Sequence, residues 1–154
     1  MEMKAKDLCR TALVAALYVA LTTLNPLSWG AVQLRVANIL CAAPLFKKSY
    51  APAVLLGIGI ANAMSPFGPM DVLFGLAAEG VAYALVVWGP LKWLPAALKA
   101  FVLSLCVALV IGVELVLMTG VPLWVVCPGL FIGTFIVVEA GVFLLEHSPL
   151  RNVI

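Results

Sequence analysis

Charged residues are scarce in this sequence of 154 residues: they make up 10% of the chain, whereas 65% of the residues are hydrophobic. Soluble domains contain about a quarter charged residues, so a water-soluble particle of this composition would lack a polar surface. The mean hydropathy of +1.19 supports the same conclusion. The composition therefore predicts an all-α integral membrane protein, with the lipid bilayer as its solvent.

Clustered cysteines and the common catalytic motifs are absent. The chain has no C-x-x-C pair, no cysteine–histidine cluster, no phosphate-binding loop of the form G-x-x-x-x-G-K-[ST] and no hydrolase motif. The net charge is only +2 and the basic residues are scattered, which excludes a nucleic-acid-binding patch. We therefore expect that this chain is not an enzyme and that it has no metal site, no cofactor and no nucleic-acid partner.

Long apolar runs take up most of the chain, and proline and glycine mark their borders. The runs cover residues 11–27, 36–46, 51–64, 71–88, 96–118 and 124–146. A spanning helix needs about 20 apolar residues, so we expect six transmembrane helices within a single domain, residues 1–154. The second and third runs are short, and we expect residues such as Val32–Arg35 to lengthen the second helix at its outer end.

The distribution of basic residues indicates the orientation. With the N-terminus in the cytoplasm, six crossings place eight of the nine lysines and arginines on the cytoplasmic side, and only Arg35 outside. We therefore expect a multi-pass protein of the plasma membrane with both termini in the cytoplasm.

Four acidic residues interrupt the apolar runs. At the centre of a spanning helix each would cost about 2.5–3.5 kcal/mol, so a functional position facing the bundle interior is the default interpretation. At about 1.5 Å per residue, their depths let them converge on a cavity open to the outer half of the membrane. Tyr83, one turn after one of them, would form the floor of that cavity. The four acids are Asp71, Glu79, Glu114 and Glu139.

Further polar residues come from the outer ends of the predicted helices, namely Gln33, Arg35, Asn38 and Asn62. With the acids they resemble a ligand pocket of few polar groups in apolar walls. Structural alternatives remain open at this stage. Glu79 and Glu139 can serve as hydrogen-bonding groups between helices, Asp71 as a helix N-cap, and Arg35 as an anchor at the lipid headgroups.

Small residues recur every four positions in the first helix, at Ala12, Ala16 and Ala20. This spacing permits close helix–helix approach in lipid. It predicts either a docking face for another membrane subunit or packing against a neighbouring helix of the same chain.

Three segments together resemble the QueT family of queuosine-precursor transporters. They are N-P-L-S-W-G-A-V-Q-L-R-V from Asn25, A-N-A-M-S-P-F-G-P-M-D-V-L-F-G from Ala61, and G-V-E-L from Gly112. The resemblance extends over nearly the whole chain. It implies the six-helix bundle of an S-component, the substrate-binding subunit of an energy-coupling factor (ECF) importer of the ABC type.

The resemblance also implies partners and ligand contacts. Such a subunit captures a solute from outside and docks through its first helix on a transmembrane T-component, which two ATPase subunits drive; ATP is used by those partners. The implied solute is a 7-deazaguanine such as queuine, preQ1 or preQ0. The matching positions, which become candidate contacts, are Gln33, Arg35, Asn62, Asp71 and Glu114.

Other functions stay open from the residues alone. The chain can be an S-component for another aromatic or cationic solute, such as tryptophan or thiamine. It can also be a stand-alone carrier in which Glu79 and Glu139 relay protons. A third alternative is an assembly subunit that uses the alanine stripe and binds no solute.

Overall fold

The computed structural model describes residues 5–28 and 34–148, with the side chains of Lys6 and Asp7 excepted. This part of the chain is 85% helical and contains no strand. Its α-helices are α1 (Ala5–Thr23), α2 (Ala43–Phe46), α3 (Ala51–Ala63), α4 (Pro69–Tyr83), α5 (Ala96–Thr119) and α6 (Leu123–His147). Three 3-10 segments lie at Pro26–Ser28, Val36–Ala42 and Lys48–Tyr50, and a π-helical turn, Ala84–Trp88, continues α4.

The apolar runs of the sequence coincide with helical segments of the structure. Among the described residues, three helices are long and apolar enough to cross a membrane: Pro69–Trp88, Ala96–Thr119 and Leu123–His147. The apolar part of α1, Leu8–Thr23, and the segment Val36–Phe46 are shorter. The predicted all-helical class is confirmed, and three of the predicted spans have spanning length.

The second run departs from the predicted helix. It consists of a 3-10 segment followed by one α-helical turn, and its predicted extension is wrong at Leu34 and Arg35, which are not helical. The reason is local hydrogen bonding: Leu34 N–H donates to Leu27 O at 3.1 Å, and the Asn25 side-chain amide donates to Leu34 O at 2.6 Å. These bonds tie Leu34 to the preceding turn instead of a helix ladder. Residues 32 and 33 lie outside the described part.

Helix packing places this irregular segment inside the bundle. Helix α1 packs on α3, α4 lies against both α3 and α5, and α5 packs along α6, while Val36–Ala42 sits on α6 and α1. Gly141 of α6 makes the last contact possible, because a Cβ there would overlap the carbonyl oxygen of Ile39. Because glycine has no side chain, the 3-10 segment can lie directly on α6 at this point.

The exterior of the bundle is apolar. Leu13, Leu73, Leu117 and Ile132 are each more than half exposed, and they come from four different helices. Exposed apolar side chains on every long helix are what lipid solvation requires and what water penalises. The fold is therefore that of a helical membrane bundle.

Candidate functional site

Polar side chains gather inside this apolar bundle. Buried polar groups are costly unless they are paired, so each needs a structural or functional reason. The buried charged and amide residues of the described part are Arg35, Asn38, Asn62, Asp71, Glu79 and Glu114.

Arg35 is the centre of the cluster. Its side chain is 7% exposed, and it donates from Nε to Ser28 O at 3.1 Å and from Nη1 to the Asn62 side-chain oxygen at 2.8 Å. The guanidinium thus crosses from the segment before Val36 to the end of α3. The alternative of an anchor at the lipid headgroups is wrong, because the side chain points into the bundle.

Asn62 connects this arginine to α4. Its amide nitrogen donates to Asp71 O at 2.9 Å, and a Cβ on Gly75 would overlap that nitrogen. Asp71 itself is the third residue of α4, whose N-cap is Gly68 with φ of 53°. The N-cap alternative for Asp71 is therefore wrong: glycine occupies that position because it tolerates positive φ.

Glu114 approaches the same cluster from α5. It is fully buried, lies beside Asp71, and is within electrostatic range of Arg35. Neither of its carboxyl oxygens has a hydrogen-bond partner among the described residues. Two acids and one arginine therefore converge where α4 begins and α5 approaches its end.

Glu79 lies two turns further along α4 and borders a small cavity. Its Oε2 atom is buried without a hydrogen-bond partner in the described part of the chain, and its carboxyl group lies near the Cys41 thiol and Arg35. The cavity offers about 20 Å³ in which the centre of a water molecule can lie, enough for about one or two waters. Its polar lining is Tyr18, Arg35, Asn38, Glu79 and Thr134, and Ile58, Val107, Ile111 and Leu130 form apolar walls.

The aromatic residue that lines the cavity is not the tyrosine predicted from the sequence. Tyr83 is fully buried and donates its hydroxyl to Cys41 O at 3.2 Å, so the prediction that it lines the cavity is wrong. Tyr18 of α1 lines the cavity instead, and its hydroxyl donates to the Asn38 side-chain oxygen at 2.9 Å. Helical spacing correctly placed Tyr83 on the inner face of α4. It did not indicate that the buried 3-10 segment covers this tyrosine.

One further predicted site residue, Glu139, lies apart from the cluster. Glu139 is half-buried on α6 and does not border the cavity, although its Oε2 has no hydrogen-bond partner in the described chain. Gln33 lies outside the described residues. Thr134, one turn before Val138 on α6, supplies the polar contact from this helix.

The three alanines of α1 lie on the outer surface of the bundle. Ala12, Ala16 and Ala20 are exposed, whereas Ala15 is 3% exposed and faces the interior. Packing against another helix of this chain therefore does not account for the four-residue repeat. Docking of a partner subunit on this face stays a prediction.

An apolar helical exterior around a cluster of buried polar side chains is typical of membrane proteins whose intramembrane charged groups serve a function. The chain belongs to the QueT transporter family, because the sequence model described as "QueT transporter" matches residues 8–147. Membership of a transporter family also fits the expectation that this chain is not an enzyme.

One similar curated relative is the protein named "Queuosine precursor transporter QueT" from Lactococcus lactis subsp. cremoris (strain MG1363). The two sequences are 40% identical over 77 residues. The aligned stretch covers 48% of this chain and 45% of the relative, so the match spans about half of each protein. No solved structure matches the fold.

Proposed function

We propose that this chain is the substrate-binding S-component of an ECF-type importer and that it captures a queuosine precursor of the 7-deazaguanine class. The observation that carries the proposal is that Glu79 Oε2 and both carboxyl oxygens of Glu114 are buried in the apolar bundle and accept no hydrogen bond from the described residues. A carboxyl oxygen buried without a hydrogen-bond donor is costly in the empty protein and becomes favourable when a ligand supplies donors. The family and the name of the relative support the choice of solute.

The chemistry of the solute fits these groups. The N1–H and 2-amino groups of a 7-deazaguanine form a donor pair that one carboxylate accepts with both oxygens, and charge-assisted bonds of this kind strengthen away from water. The Asn38 amide and the Thr134 hydroxyl border the same cavity and suit the carbonyl oxygen of the base. An aminomethyl group, where the solute carries one, pairs with a second acid.

Binding requires the cavity to widen, because its present volume fits water and not a fused-ring base. The segment before Val36 is the natural gate. Its described part is held by side-chain hydrogen bonds from Asn25 to Leu34 and from Arg35 to Ser28 and Asn62, and opening would require some of them to break. In the proposed cycle this segment, which includes Gln33, moves aside for entry and closes over the bound solute.

The proposed topology has six crossings with both termini in the cytoplasm. It places Asp71 and Glu114 in the outer half of the membrane and leaves Lys47, Lys48 and Lys99 at the inner side, as the positive-inside rule requires. The exposed alanines of α1 then form the docking face for the T-component, and the two partner ATPases supply ATP hydrolysis.

The test is a calorimetric titration of the purified, detergent-solubilised chain with queuine, preQ1, preQ0, guanine, tryptophan and thiamine. Saturable binding of a 7-deazaguanine at one site per chain, in preference to guanine, is the expected result. Binding of tryptophan or thiamine instead would keep the S-component and replace the solute. Folded protein that binds none of the six would contradict the proposed function.

A further inference from the structure

A second cavity lies at the end of the bundle opposite the buried polar cluster. It has a volume of about 380 Å³ and is formed where α2 and the following 3-10 turn meet the π-helical end of α4 and the start of α5. Pro44, Phe46 and Val87 contribute apolar walls. We call this cavity the lysine cleft, because its remaining polar lining consists of Lys47, Lys48 and Lys99.

The charged residues that the structure describes in the lining of the cleft are all basic. No acidic residue is among the described residues that line it, and neither α3 nor α5, which both begin at this end, has an acid in its first turn. Helix N-termini carry partial positive charge and ordinarily favour acids nearby. Lys99, one turn into α5, adds charge where the helix dipole already repels it. A bound anion would relieve both effects.

Exposed aromatic residues set the level of the cleft relative to the membrane. Trp88 is 49% exposed and directly follows Val87 of the cleft wall, and Trp93 is 85% exposed. Lys92 lies 5.0 Å from the centre of the Trp93 ring. Tryptophans with neighbouring lysines are typical of the headgroup level of a bilayer. The apolar wall and the cationic rim of the cleft therefore meet where the acyl chains and phosphates of lipids meet.

We propose that the lysine cleft is a binding site for the phosphate headgroup of an anionic phospholipid, with the adjoining acyl chain against Phe46 and Val87. Basic pockets between helices at the cytoplasmic side suit such headgroups. The assignment to the inner leaflet rests on the topology proposed above, whereas the binding chemistry does not depend on the transported solute.

The experiment measures lipid retention by native mass spectrometry on the full chain without added solute. Detergent-solubilised protein is titrated with equal amounts of phosphatidylglycerol and phosphatidylcholine. We expect selective retention of phosphatidylglycerol, reduced about fivefold by either Lys48→Gln or Lys99→Gln, since one lysine near an anionic surface contributes roughly that factor. Lys48→Arg and Lys99→Arg keep the charge and should keep the retention. Lys92→Gln removes a charge at the same end but outside the cleft and should have no effect.

Three results would overturn the lipid site. They are equal retention of the two lipids, an equal loss in Lys92→Gln, and displacement of phosphatidylglycerol by millimolar inorganic phosphate, which would assign the cleft to a free anion. A parallel titration of the same variants with a 7-deazaguanine keeps this proposal separate from the transport proposal. Lipid selectivity can fail while solute binding persists, and the converse also holds.

Discussion

At the scale of single residues, the acids of the bundle divide into two groups by what surrounds them. Glu79 and Glu114 face Arg35 and the polar interior, whereas Glu139 is half-buried away from the cavity. All three have a buried oxygen that lacks a partner in the described chain. Only the first two are placed so that one solute can meet both an acid and the polar residues of neighbouring helices.

Replacing Glu79 or Glu114 with glutamine is expected to weaken 7-deazaguanine binding by about 1.5–3 kcal/mol, roughly ten- to hundredfold in Kd, because a charge-assisted hydrogen bond is lost. Glu139→Gln, the matched control, should leave Kd within about twofold, since Glu139 lies apart both from the cavity that Glu79 borders and from the Arg35 and Asp71 side chains near Glu114. Calorimetry on the three variants measures the difference.

The thermal stability of the empty protein separates a binding role from a structural one. Glutamine keeps the shape of the side chain and removes the desolvated acid, so the apparent Tm of Glu79→Gln should be unchanged or higher. A lower Tm with unchanged Kd would instead assign Glu79 to helix–helix hydrogen bonding and contradict its role in binding.

The residue scale also shows where sequence reasoning stops. The cost of burying charge predicted that acids face the bundle interior, and Asn62, Asp71 and Glu114 do lie close to Arg35. That these residues contact a solute, as the resemblance implied, stays a prediction. The sequence does not predict that Tyr18 lines the cavity in place of Tyr83, because this depends on which helix packs next to the 3-10 segment at Cys41. Periodicity assigns a residue to a face of its own helix but does not say which neighbour covers that face.

At the scale of elements, α3 and α4 are joined by a contact that requires glycine. The amide of Asn62 occupies the space above Gly75, and this amide links Arg35 to Asp71. Gly80, on the same helix, has no heavy atom near a Cβ position. The two glycines therefore offer a matched test of the hydrogen bonds that join Arg35, Asn62 and Asp71.

Gly75→Ala is expected to lower stability by about 1–3 kcal/mol, because the new methyl group displaces Asn62. It should weaken solute binding as well, since the Arg35–Asn62 bond is disturbed. Gly80→Ala should be neutral or stabilising by up to about 1 kcal/mol, as expected for alanine in a helix. Apparent Tm and Kd of both variants are measured in one detergent, and equal behaviour of the pair would contradict the role of Asn62.

Helix α1 has an inner and an outer face: Tyr18 borders the cavity, whereas Ala12, Ala16 and Ala20 are exposed. Ala16→Trp is expected to reduce co-purification of the T-component and the ATPases at least about tenfold, because a small-residue surface permits close helix approach and a large ring prevents it. Solute binding by the isolated chain should not change. Ala77→Trp, on the exposed face of α4, is the control and should still co-purify.

Loss of co-purification in both tryptophan variants would mean that the assembly responds to any bulky exterior residue. Retention in both would move the docking surface away from α1.

The elements were predictable where apolar runs are long and poorly so where they are short. The runs at 71–88, 96–118 and 124–146 agree with the structure within a few residues. The run at 36–46 forms mostly 3-10 helix because Asn25 and Gly141 determine its path, one by hydrogen bonding and the other by leaving space. The Asn25 bond spans nine residues and Gly141 is far from Ile39 in sequence, so periodicity within the run indicates neither contact.

At the scale of the whole molecule, charge and shape give a consistent orientation. Lysines line the cleft at one end, and the loop between α3 and α4 lies at the other, between Asn62 and Asp71 in sequence. The proposed topology exposes that loop to the outside. A cysteine-free variant carrying Pro66→Cys should therefore react with a membrane-impermeant maleimide in intact cells, whereas one carrying Lys48→Cys should react only after permeabilisation. The reverse pattern would invert the orientation.

The most direct test of the account is solute uptake into proteoliposomes by this chain with and without its proposed partners. We predict that the chain alone binds a labelled 7-deazaguanine without accumulating it, and that accumulation requires the T-component, both ATPases and ATP. Uptake by the chain alone, driven by a proton gradient, would contradict the account and establish a stand-alone carrier.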